Sequence, residues 1–197
     1  MAIKGLRDLH YAIIEQEDET QTVYGEVKRL GPAMAFNIQP TINSANLRAD
    51  DKVLFSESAK GATTITLNTA YLEKEVEADI LGKTIHENGL ATDNANDRAP
   101  YIAVGGRAAS ARGGFEYFWI YRIKFSPAEL NMETEQETPT FQTPNLTGEA
   151  LPRLHDGEER VKVWDGDDSV DPSIFENWFT EVIDKNYPDG SGGGVEG

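Results

Sequence analysis

Eleven consecutive residues, 115–125, read Phe-Glu-Tyr-Phe-Trp-Ile-Tyr-Arg-Ile-Lys-Phe. Every odd position is apolar or aromatic: Phe115, Tyr117, Trp119, Tyr121, Ile123 and Phe125. The even positions hold Glu116, Arg122 and Lys124 toward the ends, with Phe118 and Ile120 in the middle. Side chains alternate across a strand with period two, so the odd set is expected to line one face. The pattern predicts a long strand with one face fully buried and a second face covered at mid-length. Burial of one such side chain contributes about 1.5–3 kcal/mol, so the six odd positions give roughly 9–18 kcal/mol as an upper bound. No other stretch carries as much, and the rest of the chain has to supply partners for this strand.

The flanking sequence predicts those partners. Leu9, Tyr11 and Ile13 alternate within residues 6–14, and Met34, Phe36 and Ile38 within 33–39. Residues 62–68 are rich in β-branched side chains, residues 101–104 resume a strand, and 134–143 and 145–154 read as later ones. The glycine pairs at both ends of 105–114 suit a hairpin loop or bulges. Leu72, Val76 and Ile80 recur every fourth residue, which predicts one amphipathic helix capped by Asn68 or Thr69 and ended by Gly82. Residues 15–24 and 87–100 read as surface loops. The expected fold is mainly β, an antiparallel sandwich or barrel flanked by one α-helix.

Two regions stand apart. Residues 40–61 scatter Ile42, Leu47, Leu54 and Phe55 among Asn, Ser, Arg and Asp. Residues 47–52 suit a hairpin tip, with 45–49 and 53–56 as short arms. A connection of about twenty residues between strands is usually functional or disordered, and a solvated loop has no need of those apolar side chains. They suit docking on another subunit, or a meander folded back on its own domain. After His155 the composition turns acidic: residues 156–197 hold twelve acids and three bases. There, 161–164 read as a short strand and 165–168 as a turn. Asp171 and Pro172 open a helix whose stripe is Ile174, Phe175, Trp178, Phe179 and Val182. The expected division is a β body over 1–155, an acidic extension with a second short helix over 156–189, and a flexible Gly-rich tail over 190–197.

Composition narrows the function. The net charge of −16 disfavours direct DNA or RNA recognition, which wants a basic face. With no cysteine there are no disulfides, thiolate metal sites or Cys nucleophiles. No apolar run is long enough to span a membrane, and the start lacks the apolar run of a signal peptide. His10, His86 and His155 are far apart and without ligand spacing. The acidic run 165–171 fits an acidic turn and helix cap better than a calcium loop, because glycine sits at loop position two rather than six. Arg107 and Arg112 in 105–114 fit a hairpin tip better than an anion site. No catalytic, cofactor-binding or metal-ligating set emerges.

The order and spacing of several segments resemble one family, the major tail tube proteins of long-tailed, non-contractile bacteriophages. The likeness is carried by Gly5-Leu6-Arg7-Asp8-Leu9-His10-Tyr11, the strand over 33–39, and Leu47-Arg48-Ala49-Asp50-Asp51. It continues through Ile80-Leu81-Gly82, Pro100-Tyr101-Ile102-Ala103-Val104-Gly105-Gly106, the strand over 115–125, and Leu146-Thr147-Gly148. The resemblance implies a small β-sandwich or barrel, six copies to a ring, and rings stacked into a tube that DNA traverses without being bound. It also implies tail partners: the tape measure, tail terminator and distal tail proteins. The protein would be made in the host bacterial cytoplasm and reside in the virion tail. Contacts between subunits are then expected from Ile42, Leu47, Arg48, Asp50, Leu54 and Phe55 of the long loop, and from Phe118 and Ile120 on the mixed strand face. That face is the seat of either the 72–80 helix or a neighbour. The odd positions of 115–125, with Leu72, Val76 and Ile80, form the expected core. The competing reading is a monomeric β-sandwich that binds carbohydrate or a cell surface through Tyr101, Tyr117 or Trp164.

Overall fold

The computed structural model describes residues 3–49, 52–127 and 143–187. Its main body is a nine-stranded antiparallel sheet ordered β2-β1-β8-β9-β10-β5-β4, with β3 added to β1 and β11 to β9. These strands are β1 Ile3–Glu17, β2 Thr22–Tyr24, β3 Lys28–Gly31, β4 Ala33–Ala49 and β5 Lys52–Thr69. They continue with β8 Ile102–Ser110, β9 Phe115–Ser126, β10 Asn145–Ala150 and β11 Arg160–Trp164. A two-stranded ribbon, β6 Thr84–Ile85 and β7 Ala91–Thr92, follows helix α1 (Lys74–Leu81), and α2 (Ser173–Asn177) lies in the C-terminal segment. The sheet bends so that β4 comes close to β1, and Phe36 of β4 stacks on Phe118 of the central β9 with ring centroids 5.7 Å apart.

The long strand over 115–125 is β9 at the centre of the sheet, but it does not keep one parity of side chains on one face. Opposite β8, Ile102 pairs with Ile123 and Val104 with Ile120, so β9 carries one extra residue between them. A bulge of this kind shifts every later side chain to the other face. Tyr117, Trp119 and Tyr121 accordingly join Trp178 and Ile183 in one cluster. Ile120, Ile123 and Phe125 join Val76, Ile80, Leu9 and Leu67 in another, with Phe118 and Leu72 packed at its margin. The expected single apolar face is therefore two half-faces, and β9 feeds a core on each side of the sheet. Phe115 is half-buried beside the Tyr117 cluster.

Helix α1 takes the seat on the mixed face of β9. It starts later than expected: Asn68 and Thr69 belong to β5, and Glu73 occupies the N-cap without a side-chain cap bond. Gly82 ends it in the left-handed conformation, as its sequence predicts. A β-carbon on Gly82 would meet the Arg98 carbonyl oxygen at 2.2 Å, so space as well as φ demands glycine there. Tyr11 Oη and Lys28 Nζ both donate to Asp79 Oδ2, at 2.7 and 2.8 Å, and tie the helix to β1 and β3.

The 105–114 stretch also differs from a loop. β8 runs on to Ser110, and only residues 111–114 turn, with Gly113 and Gly114 at positive φ. Gly105 lies in the strand beneath the Trp119 ring. Residues 15–17 extend β1, and Asp18 Oδ1 accepts from the Thr20 and Gln21 amides in the turn that leads to β2. The strand expected over 134–143 falls almost wholly outside the described residues, as does the tail over 190–197.

The C-terminal segment packs on the sheet. β11 pairs with β9 over Arg160–Trp164, continuing along β9 where β10 ends. Trp178 is fully buried, and its carbonyl accepts from Trp119 Nε1 at 3.2 Å. Tyr121 Oη donates to the Ile183 carbonyl at 3.2 Å. Arg153, 3% exposed, lies with its guanidinium 4.0 Å from the Tyr121 ring centroid and bonds Asp156 and Asp184 at 2.6 and 3.0 Å. A buried cation needs such partners, because removing it from water unpaired is costly.

Candidate assembly surface

Residues 40–61 are no loop: they are the outer half of a β4–β5 hairpin whose ladder runs from Ala33↔Thr69 to Ala49↔Lys52. The last described pair, Ala49↔Lys52, lies within the 47–52 stretch where the sequence places a tip, but the arms are far longer than expected. The inner half, Phe36↔Leu67 to Gln39↔Thr64, belongs to the body, where Leu67 and Ile65 are buried. Beyond it β10 no longer pairs with β5, so the hairpin leaves the sheet as two strands alone. Residues 41–46, 52 and 55–60 are all exposed, which excludes a meander folded on its own domain. A lone two-stranded hairpin is marginal in water and needs further strands or a packed face.

Cross-strand pairing assigns its two faces, since directly opposed residues share one. One face pairs Ile42 with Lys60, Ser44 with Ser58 and Asn46 with Ser56. The other pairs Asn43 with Ala59, Ala45 with Glu57 and Leu47 with Phe55. Ile42 and Phe55 are each 70% exposed. The backbone places Leu47 opposite Phe55 and Arg48 opposite Val53, next to a register slip, with Leu54 between Val53 and Phe55 in β5. Asp50 lies outside the described residues.

The remaining expected contact residues divide. Phe118 is half-buried against Phe36, but Ile120 is 1% exposed and enclosed by the cluster that holds α1. Of the two occupants expected for the mixed face, the helix is present, and Ile120 has no surface left to offer a neighbour. Sequence reasoning missed the free edge of β4: β5 is its sole ladder partner among the described residues. Pro40 was its available signal, because a proline inside a sheet is confined to edge strands.

The base of the hairpin is tied to the C-terminal segment. Glu159, 8% exposed, accepts from Lys60 Nζ and, at 2.6 Å, from Thr63 Oγ1. Burial pushes the Glu159 carboxyl up, but the Lys60 and Thr63 bonds outweigh it and hold the group below its ordinary value.

The other chemistry-bearing side chains are engaged internally. His10 stacks on Phe179 with ring centroids 4.5 Å apart, His155 Nδ1 lies 3.0 Å from Thr22 Oγ1, and His86 Nε2 lies 3.0 Å from Thr92 Oγ1. Arg107 Nε donates to Asp8 Oδ2 at 2.7 Å, and the Arg112 guanidinium lies 4.0 Å from the Trp164 ring. In the acidic run, Asp165 accepts from the Phe115 amide, Asp167 from Ser169 and Asp171 from the Ser173 amide. Among the described residues no three potential ligands converge on a metal position, and no helix is long and apolar enough to cross a membrane. Of the aromatics considered for ligand binding, Tyr117 is buried, Trp164 Nε1 donates to the Gly113 carbonyl at 3.0 Å, and Tyr101 lies under Arg122.

No curated protein matches the sequence. The family model described as phage tail tube protein matches residues 1–183 of the 197, nearly the whole chain, including β11 and α2. With an antiparallel sheet open at one edge and a bare hairpin projecting from it, the chain belongs to the phage tail tube proteins, structural components of the virion tail.

Proposed function

We propose that copies of this chain join into six-membered rings, and that the rings stack into the tube of a long, non-contractile tail through which DNA is ejected. The observation that carries this reading is the hairpin outside the body, exposed on both faces and adjoining an open strand edge. Such a hairpin gains its missing strands and packed face when it meets another copy. One hairpin face carries the uncharged polar Ser44, Ser58, Asn46 and Ser56 beyond a basal Ile42–Lys60 pair, and that stretch suits a water-filled lumen that passes DNA without holding it. The net negative charge acts in the same direction. The role is structural rather than enzymatic and calls for no cofactor. Its partners are further copies, the tape measure protein within the tube, and the terminator and distal tail proteins at its ends. Synthesis takes place in the host bacterial cytoplasm.

Negative-stain microscopy of the purified protein tests the reading: rings or tubes of uniform width are expected. Replacing residues 42–59 by a short Gly-Ser link should leave a folded monomer that makes neither. Normal tubes from that variant would remove the hairpin from assembly, and a wild-type protein that stays monomeric by sedimentation at high concentration in several salts would overturn the proposal.

A further inference from the structure

Resting on that reading, we infer that Phe55 of one copy seats in a groove between β1 and β4 of the next. The groove is the open mouth of the bent sheet, with Leu6, Phe36, Ile38 and Phe118 among its lining residues. Its cavity is about 140 Å³. An apolar cavity of about 150 Å³ holds one benzene ring. Phe55 is the large aromatic without a polar group that the described surface leaves exposed.

The occupant comes from another molecule. Strand β4 forms one wall of the groove, through Phe36 and Ile38, and the same strand carries the hairpin outward. Phe55 lies opposite Leu47, nine residues beyond Ile38 along an extended strand, which is about 30 Å at about 3.3 Å per residue. The hairpin therefore cannot return to the groove it helps to build.

Charge agrees with size. Lys4 and Lys162 line the same groove, as does Glu116, whose Oε1 is buried without a hydrogen-bond partner. On the hairpin, Glu57 shares a face with Phe55, about 7 Å along the strand. A ring seated in the cavity brings the Glu57 carboxylate to the lysines, and the incoming backbone brings N–H donors toward Glu116. The seat and the inserting residue are different parts of one chain, so the contact is head-to-tail and repeats from copy to copy.

The cysteine-free chain permits a direct test. Phe55→Cys and Ile38→Cys single variants are prepared, each scored for tubes by microscopy, mixed in equal parts, assembled and oxidised. The expected result is a cross-linked dimer on a non-reducing gel from the mixture and none from either variant alone. Tubes without that dimer would overturn the seat while leaving tube formation intact; absence of tubes from wild type would instead overturn the reading beneath it. A second measurement covers impaired cysteine variants. Glu57→Lys should raise the critical concentration for association about tenfold, and adding Lys162→Glu should restore it. An unchanged critical concentration in Glu57→Lys, or no restoration by the second change, would also overturn the seat.

Discussion

At the scale of single residues, the sheet depends on what is missing at Gly105. A β-carbon there would approach Trp119 ring atoms at 2.4–2.6 Å, and Trp119 is fully buried. The ring has no room to retreat, because its Nε1 is bonded to the Trp178 carbonyl. Overpacking of this kind costs about 1–3 kcal/mol. Gly105→Ala should therefore lower the urea midpoint of unfolding by a corresponding amount, whereas alanine at Gly157 meets nothing within 4 Å and is strained only through its φ of 72°. Equal midpoints for Gly105→Ala and wild type would mean that the Trp119 contact is looser than described. Asp8 is a second special position: its φ of 52° is left-handed, at a register slip between β1 and β8. Arg107 holds its carboxylate, and His10 Nδ1 bonds its carbonyl at 2.9 Å, so local bonds fix a conformation that an aspartate tolerates better than most residues.

Among the elements, the Lys60–Glu159–Thr63 contact couples the base of the hairpin to the segment before β11. A carboxyl held below its unfolded value, about 4.3 for glutamate, contributes stability above that value. The contribution is lost as pH falls through the still lower folded value. Lys60→Met leaves burial, which raises the group, opposed only by the Thr63 hydrogen bond and the Arg160 charge. The variant should be less stable than wild type at pH 7, and the difference should shrink as pH falls through the carboxyl range and the group becomes neutral in both. Urea midpoints from pH 7 to pH 3 check this; a constant difference would show that Glu159 stays uninvolved. Much at this scale was legible in the sequence. Alternating runs marked β1, β4 and β9, β-branched content marked β5, residues 101–104 marked the start of β8, the fourfold spacing marked α1, and the Trp178 stripe marked a segment that must be buried. The bulge in β9 was not legible, because the Tyr121–Arg122 step looks like ordinary alternation and the extra residue is defined only against Ala103 across the ladder. The hairpin's length escaped for a related reason. Ser and Asn are common in turns, and two strands exposed on both faces have no inside to impose a period of two.

The whole molecule carries a net charge of −16, and assembly concentrates it. Like charges repel across a subunit contact until salt screens them, and the screening length falls from about 30 Å at 0.01 M to about 8 Å at 0.15 M. A few favourable pairs such as Glu57 with Lys162 are outweighed by that total. The critical concentration for tube formation should therefore fall as ionic strength rises through this range, as measured by light scattering. A rise with salt would mean that paired contacts, rather than net repulsion, dominate the interface.

The interrupted edge of β4 bears on a different hazard. An open strand edge in a concentrated solution of subunits is a template for indiscriminate cross-β stacking. Three register slips divide the β4–β5 ladder, after Ala33, Pro40 and Leu47, and Pro40 offers no N–H. The ladder is thereby divided into shorter lengths, with a local kink at each slip. What can add to it is a surface with matching interruptions, and a second copy of the same chain is the source of one. The interruptions of the ladder thus oppose indiscriminate stacking at this edge while leaving a second copy of the chain admissible.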